Sequence, residues 1–275
     1  MFYSADYSTL LGLIIQLVQS QTGQRFHSGE EWLNDAQTLS VKLFRHLVSM
    51  ERLAEGATVE QNNSAPIFFI DHASVKIVIR AALETYLVFF YLYGSADRLV
   101  SEFRHKTWRL GGLFDRQKFH ASNANQQQVL FSEKEQIEAL ISEINASPQL
   151  QTYPEKQRAQ LLKGNWRISN DWSDLGVQAG FPKQYFQDVY GYLYGYSHSS
   201  YLSALQVGQA SSIEDQFKLT QGILSIGIAI MAHFAFSYSS TFSSAASVLE
   251  KHIEGKRVAE KWRFRPENNV PQIVP

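Results

Sequence analysis

From Asp71 to Tyr93 the chain reads DHASVKIVIRAALETYLVFFYLY, without Gly or Pro, and its polar positions fall four apart at His72, Lys76, Arg80 and Glu84. On an α-helix residues four apart share a face. The spacing therefore predicts a helix buried nearly all round with one polar ridge. A charge inside a core must be paired and hydrogen-bonded. Arg80 and Glu84 can pair along the helix, which still leaves donors and acceptors for another segment to meet.

The other segments read as helices of ordinary periodicity. Tyr7 to Gln21 is a short apolar helix ended by Gly23. Ser28-Gly-Glu-Glu31 has capping-box spacing, and Trp32, Ala36, Leu39, Leu43, Leu47 and Met50 make one apolar stripe. Glu55 to Pro66 reads as a polar loop, and the ridged helix as starting near Ile67. After Gly94-Ser95 a fourth helix runs from Ala96 to Phe119. Ser132 to Glu135 and Thr152 to Glu155 are further capping boxes. Pro182 opens a long helix to Val207, along which Gly191, Gly195, Ser199 and Ser203 form a ridge of small residues suited to close packing. Glu214 to Tyr238 and Ala245 to Glu254 complete the set. The pattern predicts an all-α fold, a single bundle of about eight helices over residues 1–265. Residues 117–180 form a small helical insertion, and 266–275 a loose tail. No strand of strict alternation stands out.

Composition removes classes of function. The 275 residues include no cysteine, which excludes disulfides, thiolate zinc sites and iron–sulfur clusters. The formal net charge is −1, so no global basic field draws in nucleic acid. Phosphate-binding glycine loops, a Gly-x-Ser-x-Gly elbow and His-Glu-x-x-His are absent from the sequence. No secretory leader is expected, because Arg25 is the first basic residue and Asp6 precedes it. The apolar run Ile223 to Phe236 is short for a bilayer and contains His233, so it reads as a core helix, not a membrane span. The expected location is the cytoplasm, with no cofactor and no metal.

Five clusters carry candidate chemistry. Arg80 offers a planar fork for phosphate or carboxylate, oriented by Glu84, or else the two make a buried pair that fixes helix register. Tyr190, Tyr194 and His198 lie four apart, with Ser197 beside them. His198 suits general acid–base work and the tyrosines suit hydrogen bonding or stacking, although a Tyr-rich packing helix has the same pattern. Two polar ridges on two apolar helices are expected to face each other. Glu102-x-x-His105 has the spacing of di-iron bundles but occurs once, and a salt-bridged surface explains it equally. Arg98 and His105 stand seven apart. The end from Lys251 to Arg265 is basic, with Trp262 and Phe264, and reads as a helix of charge pairs or a nucleic-acid contact.

IRAALETY (Ile79 to Tyr86) with YGYLYGYSHSSYLS (Tyr190 to Ser203) resembles a bacterial helical family catalogued as a domain of unknown function. In that family one helix carries Arg-x-x-x-Glu and a later helix a Tyr/Ser/His motif. The Arg98–His105 spacing resembles the Arg-x4–6-His signature of the HEPN superfamily, whose members include metal-independent ribonucleases. The first resemblance implies an all-α fold and a site of Arg80, Glu84, Tyr190, Tyr194, Ser197 and His198, with His105 added by the second. Adjacent Ser197 and His198 depart from the wider spacing of the first family. Three expectations follow. The first is an interhelical pocket that binds a nucleotide or RNA phosphate, with His198 as acid or base in metal-independent cleavage in a defence or toxin system. The second is a structural protein or homo-oligomer in which Arg80, Glu84 and His198 set helix register. The third is a helical metal site of Glu84, Glu102, His105 and His198.

Overall fold

The computed structural model describes residues 2–62, 64–168 and 170–264. Within them thirteen helices and one hairpin follow in order: α1 (Phe2–Gln19), α2 (Leu33–Ala54), β1 (Ala57–Gln61), β2 (Ser64–Phe69), α3 (His72–Tyr93), α4 (Arg98–Gln117), α5 (Ala124–Ala146), α6 (Pro148–Gln151), α7 (Glu155–Leu161), α8 (Trp172–Gln178), α9 (Lys183–Ser197), α10 (Tyr201–Gln209), α11 (Ile213–Thr241), α12 (Ser243–Lys251) and α13 (Ile253–Trp262). The fold is all-α, as the periodicity predicts. The expected loose tail, 266–275, lies outside the described residues, as does Arg265.

Helix number exceeds the expected eight for local reasons. The long helix expected from Pro182 to Val207 is two helices, because Ser199 takes φ 50° and Ser200 starts α10 by accepting from the Ser203 N–H. A left-handed non-glycine residue cannot continue a right-handed helix. The small-residue ridge is accordingly not a helix-packing face: nothing lies near Gly191, while Gly195 leaves room for the Ser200 hydroxyl. The loop expected over Glu55 to Pro66 is instead a hairpin, with Val59 opposite Ile67 and Thr58 opposite Phe68. Its faces are both exposed, so its sequence carries no alternation. The capping box at Ser28 is not used, and α2 starts five residues later without a side-chain cap. Asn123, not Ser132, caps α5, nine residues before the expected capping box.

The chain divides into two compact units, one formed by residues up to Phe90 with those from Trp172 onward, the other by Tyr91–Asp171. In the first, α11 is the central element. It packs against α1, α2, α12 and α13, and its residues from Ile223 to Ala235 are all buried. By length and composition α11 is able to cross a membrane, but 78% of its most apolar window is buried inside the protein, which is the behaviour of a core helix. α2 contributes the stripe read from its sequence, with Ala36, Leu39, Leu43, Leu47 and Met50 buried. His233 of α11 is buried and stacks on Phe181 with ring centroids 4.4 Å apart, and its Nε2 accepts from the Phe264 N–H at 3.1 Å. That bond ties the end of the described chain to the core. Burial, and then Arg263, hold the His233 pKa down at about 3, so it stays neutral.

The second unit has its own core of Phe103, Leu110, Ile137, Leu140, Ile144, Leu150 and Leu161. α4 and α5 form its main contact. Gly111 and Gly164 meet backbone to backbone: a Cβ on Gly111 would lie 2.6 Å from the Gly164 carbonyl oxygen. Arg104 donates to the Tyr91 carbonyl at 3.0 Å and lies over the Tyr91 ring at 4.6 Å.

Candidate functional site

The ridge of α3 is the structural basis of the site. Asp71 starts α3, its Oδ1 accepting from the Ser74 N–H at 2.9 Å. His72, Lys76, Arg80 and Glu84 then follow, and all four make hydrogen bonds; those that leave α3 go to α9. The expectation that the ridges of the two helices face each other is met by these contacts.

At Arg80 the network is closed. Arg80 Nε donates to Glu84 Oε1 at 3.0 Å, Arg80 Nη2 to the Tyr190 hydroxyl at 3.2 Å, and Tyr190 to Glu84 Oε1 at 2.8 Å. The guanidinium lies 5.3 Å from the Tyr190 ring and 5.0 Å from the Tyr194 ring, within cation–π range of both. Burial works against the Arg80 charge, but the Tyr190 and Glu84 contacts outweigh it and the pKa rises, so Arg80 is a fixed cation. Burial likewise lifts the Tyr190 hydroxyl to about 12, so it stays a neutral donor. Trp172 of α8 flanks Tyr190, with ring centroids 6.3 Å apart. The Arg80 and Glu84 side chains retain 16% and 28% exposure, so solvent reaches the pair.

The outer wall is open. Tyr194 is 50% exposed, and His198 sits beyond it with ring centroids 4.2 Å apart. α9 ends at Ser197, so His198 caps the helix through its backbone and presents an exposed ring. Among the described residues its imidazole makes no hydrogen bond to Arg80 or Glu84; Tyr194 is the group that touches both His198 and Arg80. Ser197 bonds back to the Leu193 carbonyl at 3.3 Å. His105 belongs to the second unit, where it is buried on α4 beside Tyr93 and Trp108.

One turn before Arg80 the structure holds a group that the sequence did not single out. Lys76 is fully buried, with 0% exposure. Its Nζ lies 2.9 Å from His72 Nδ1, donates to the Tyr196 hydroxyl at 3.0 Å and stands 4.1 Å from the Tyr196 ring centroid. The Tyr192 and Tyr196 hydroxyls both donate to Gln206 Oε1 of α10. Among the described residues no carboxylate pairs with Lys76, and desolvation lowers its pKa to about 7. His72 is held down at about 4, by burial first and then by Lys76. The available signal was the ridge itself: its second position has His72 and Arg80 one turn away and no acid to neutralise a lysine.

Other candidate clusters resolve into ion pairs. Glu102 binds Lys106 at 2.9 Å. At the basic end Lys256 pairs with Glu250, Arg257 with Glu254 and Lys261 with Asp6, while Phe264 is buried among aromatic rings. Among the described residues no group of three or more His, Asp and Glu side chains is placed to hold a metal ion. Of the four residues expected to hold a metal, Glu84 and His198 belong to the first unit and Glu102 and His105 to the second. Comparison of the chain with protein-family models, with curated proteins and with solved structures gives no match.

Proposed function

We propose that the α3–α9 face of this cytoplasmic protein binds the phosphate of a nucleotide or of an RNA strand. The observation that carries this is the Arg80 guanidinium, 5.3 Å from the Tyr190 ring and 5.0 Å from the Tyr194 ring and oriented by Glu84, yet still reached by solvent. Two of its five N–H donors are used by Glu84 and Tyr190, and the remainder match a phosphate oxygen pair. The half-exposed Tyr194 ring, with the His198 imidazole packed on it at 4.2 Å between centroids, offers an aromatic surface for a base. His198 is the group we assign to acid–base work in a metal-independent phosphodiester cleavage, the reaction to assay first.

A second reading is favoured by the closed Arg80–Glu84–Tyr190 triangle: a structural network that sets the register of α3 against α9. Thermal shift with nucleotides and short RNAs separates the two. Tyr194 is half exposed, so Tyr194→Ala leaves the fold intact. Ligand stabilisation of the wild type that is lost in Tyr194→Ala supports the binding site. A wild type that no nucleotide or RNA shifts, with Arg80→Ala unfolding, supports the structural network.

A further inference from the structure

The hairpin and α10 are the least covered elements of the first unit. Every residue of β1 is exposed, and of β2 only Phe69 is half-buried. A two-stranded hairpin alone is marginal in water. Of the nine α10 residues only Ser203 is buried, while Tyr201, Leu202 and Leu205 are exposed. A helix of that length is held by packing of its apolar face, not by its own propensity. The two elements are joined by Gln216, which accepts from the Ile70 N–H at 2.8 Å and donates to the Ala210 carbonyl at 3.1 Å. Val59, Ile67 and Phe68 add exposed apolar surface on the hairpin.

Charge narrows what covers this surface. No Asp, Glu, Lys or Arg occurs from Ser199 to Ile213, nor from Gln61 to Ile70. Nucleic acid and anionic lipid both require cations that these segments lack. An apolar, uncharged protein face is the complementary surface, and this chain presents one. The edges of the hairpin are unequal: β2 contains Pro66, which has no N–H to donate, whereas β1 has a full set.

We infer that a second copy of this chain docks here, β1 pairing antiparallel with β1 about a twofold axis at Val59, its apolar surface covering Leu202 and Leu205. That register makes a four-stranded sheet and sets Glu60 opposite Thr58 of the second copy, so no like charges oppose each other. The pairing also removes an exposed strand edge.

Light scattering of the full chain over a concentration series should give a mass twice that of one chain. Thr58→Glu, at an exposed position, faces Glu60 across the axis and should weaken the dimer by about tenfold or more. Thr58→Lys should keep it. Hydrogen exchange of unmodified protein supplies an independent reading, since the amides of residues 57–61 should slow as concentration rises. A monomer at every concentration, equal dimerisation of the Thr58→Glu variant, or exchange at 57–61 that ignores concentration would each overturn the assignment. So would a monomer that instead binds neutral phosphatidylcholine vesicles.

Discussion

Replacing Lys76 by methionine should stabilise the protein at neutral pH and destabilise it in alkali. Lys76 is wholly buried, no carboxylate among the described residues pairs with it, and burial lowers its pKa to about 7 in the fold against an ordinary value of 10.5. Between those values the unfolded chain binds a proton that the folded chain does not. Stability therefore rises with pH across this window, by about 1.4 kcal/mol per pH unit, and the cost is fully present at pH 7 and below. The full interval corresponds to about 5 kcal/mol. Methionine fills a similar volume and removes that cost, but it strips a partner from His72 Nδ1 and from the Tyr196 hydroxyl. At about 1.5 kcal/mol for each of two weakened buried groups, the loss is about 3 kcal/mol. Lys76→Met is then more stable than wild type by about 2 kcal/mol at pH 7 and less stable by about 3 kcal/mol at pH 10.5, with the curves crossing at about pH 8.4. Urea unfolding of both proteins along a pH series measures this directly. A stability difference that does not change between pH 7 and 10.5 would refute the reasoning, since it would mean that Lys76 is protonated in the fold throughout.

Three further outcomes are expected. His233 and His72 have folded pKa values depressed to about 3 and about 4, so the stability they contribute is present above their unfolded value of 6.5 and is lost as pH falls below it. His233→Phe should flatten part of the acid limb of a pH–stability curve by about 1.4 kcal/mol per unit between pH 6 and 4. Gly111→Ala drives a methyl into the Gly164 carbonyl oxygen and should cost about 1–3 kcal/mol, read by thermal melting. Glu84→Gln removes the carboxylate paired with Arg80 and leaves the Tyr190 hydroxyl as its neutral partner, and should lower stability by about 1–2 kcal/mol, less than for a fully buried pair because solvent reaches both groups.

The helical architecture was legible because burial leaves a periodic record. The α2 stripe from Ala36 to Met50 and the α3 ridge are both readable by counting in threes and fours. The partnership of Arg80 and Glu84 with Tyr190 was legible for the same reason: a charged ridge on an apolar helix must be answered from elsewhere. The break at Ser199 was not, since no glycine or proline marks it. A serine side chain capping the next helix competes locally with continuing the first, and that competition is decided by tertiary context. His198, the last residue before the break, still packs on Tyr194 one turn earlier. The hairpin escaped because alternation appears only where one face is buried, and here neither is. The burial of Lys76 is likewise invisible in sequence, because a lysine on a ridge looks the same whether the ridge meets water or a second helix.

The most direct measurement of the α3–α9 site is equilibrium binding of a short fluorescent RNA and of ATP to wild type, Tyr194→Ala and Arg80→Lys, each first shown to melt as a folded protein. Wild type should bind at least one of them, Arg80→Lys about tenfold more weakly for loss of the planar fork, and Tyr194→Ala more weakly still for a base that stacks. Equal affinity in all three proteins, or no binding by any, would contradict a phosphate site at Arg80 and leave the Arg80–Glu84–Tyr190 triangle as a device of the fold.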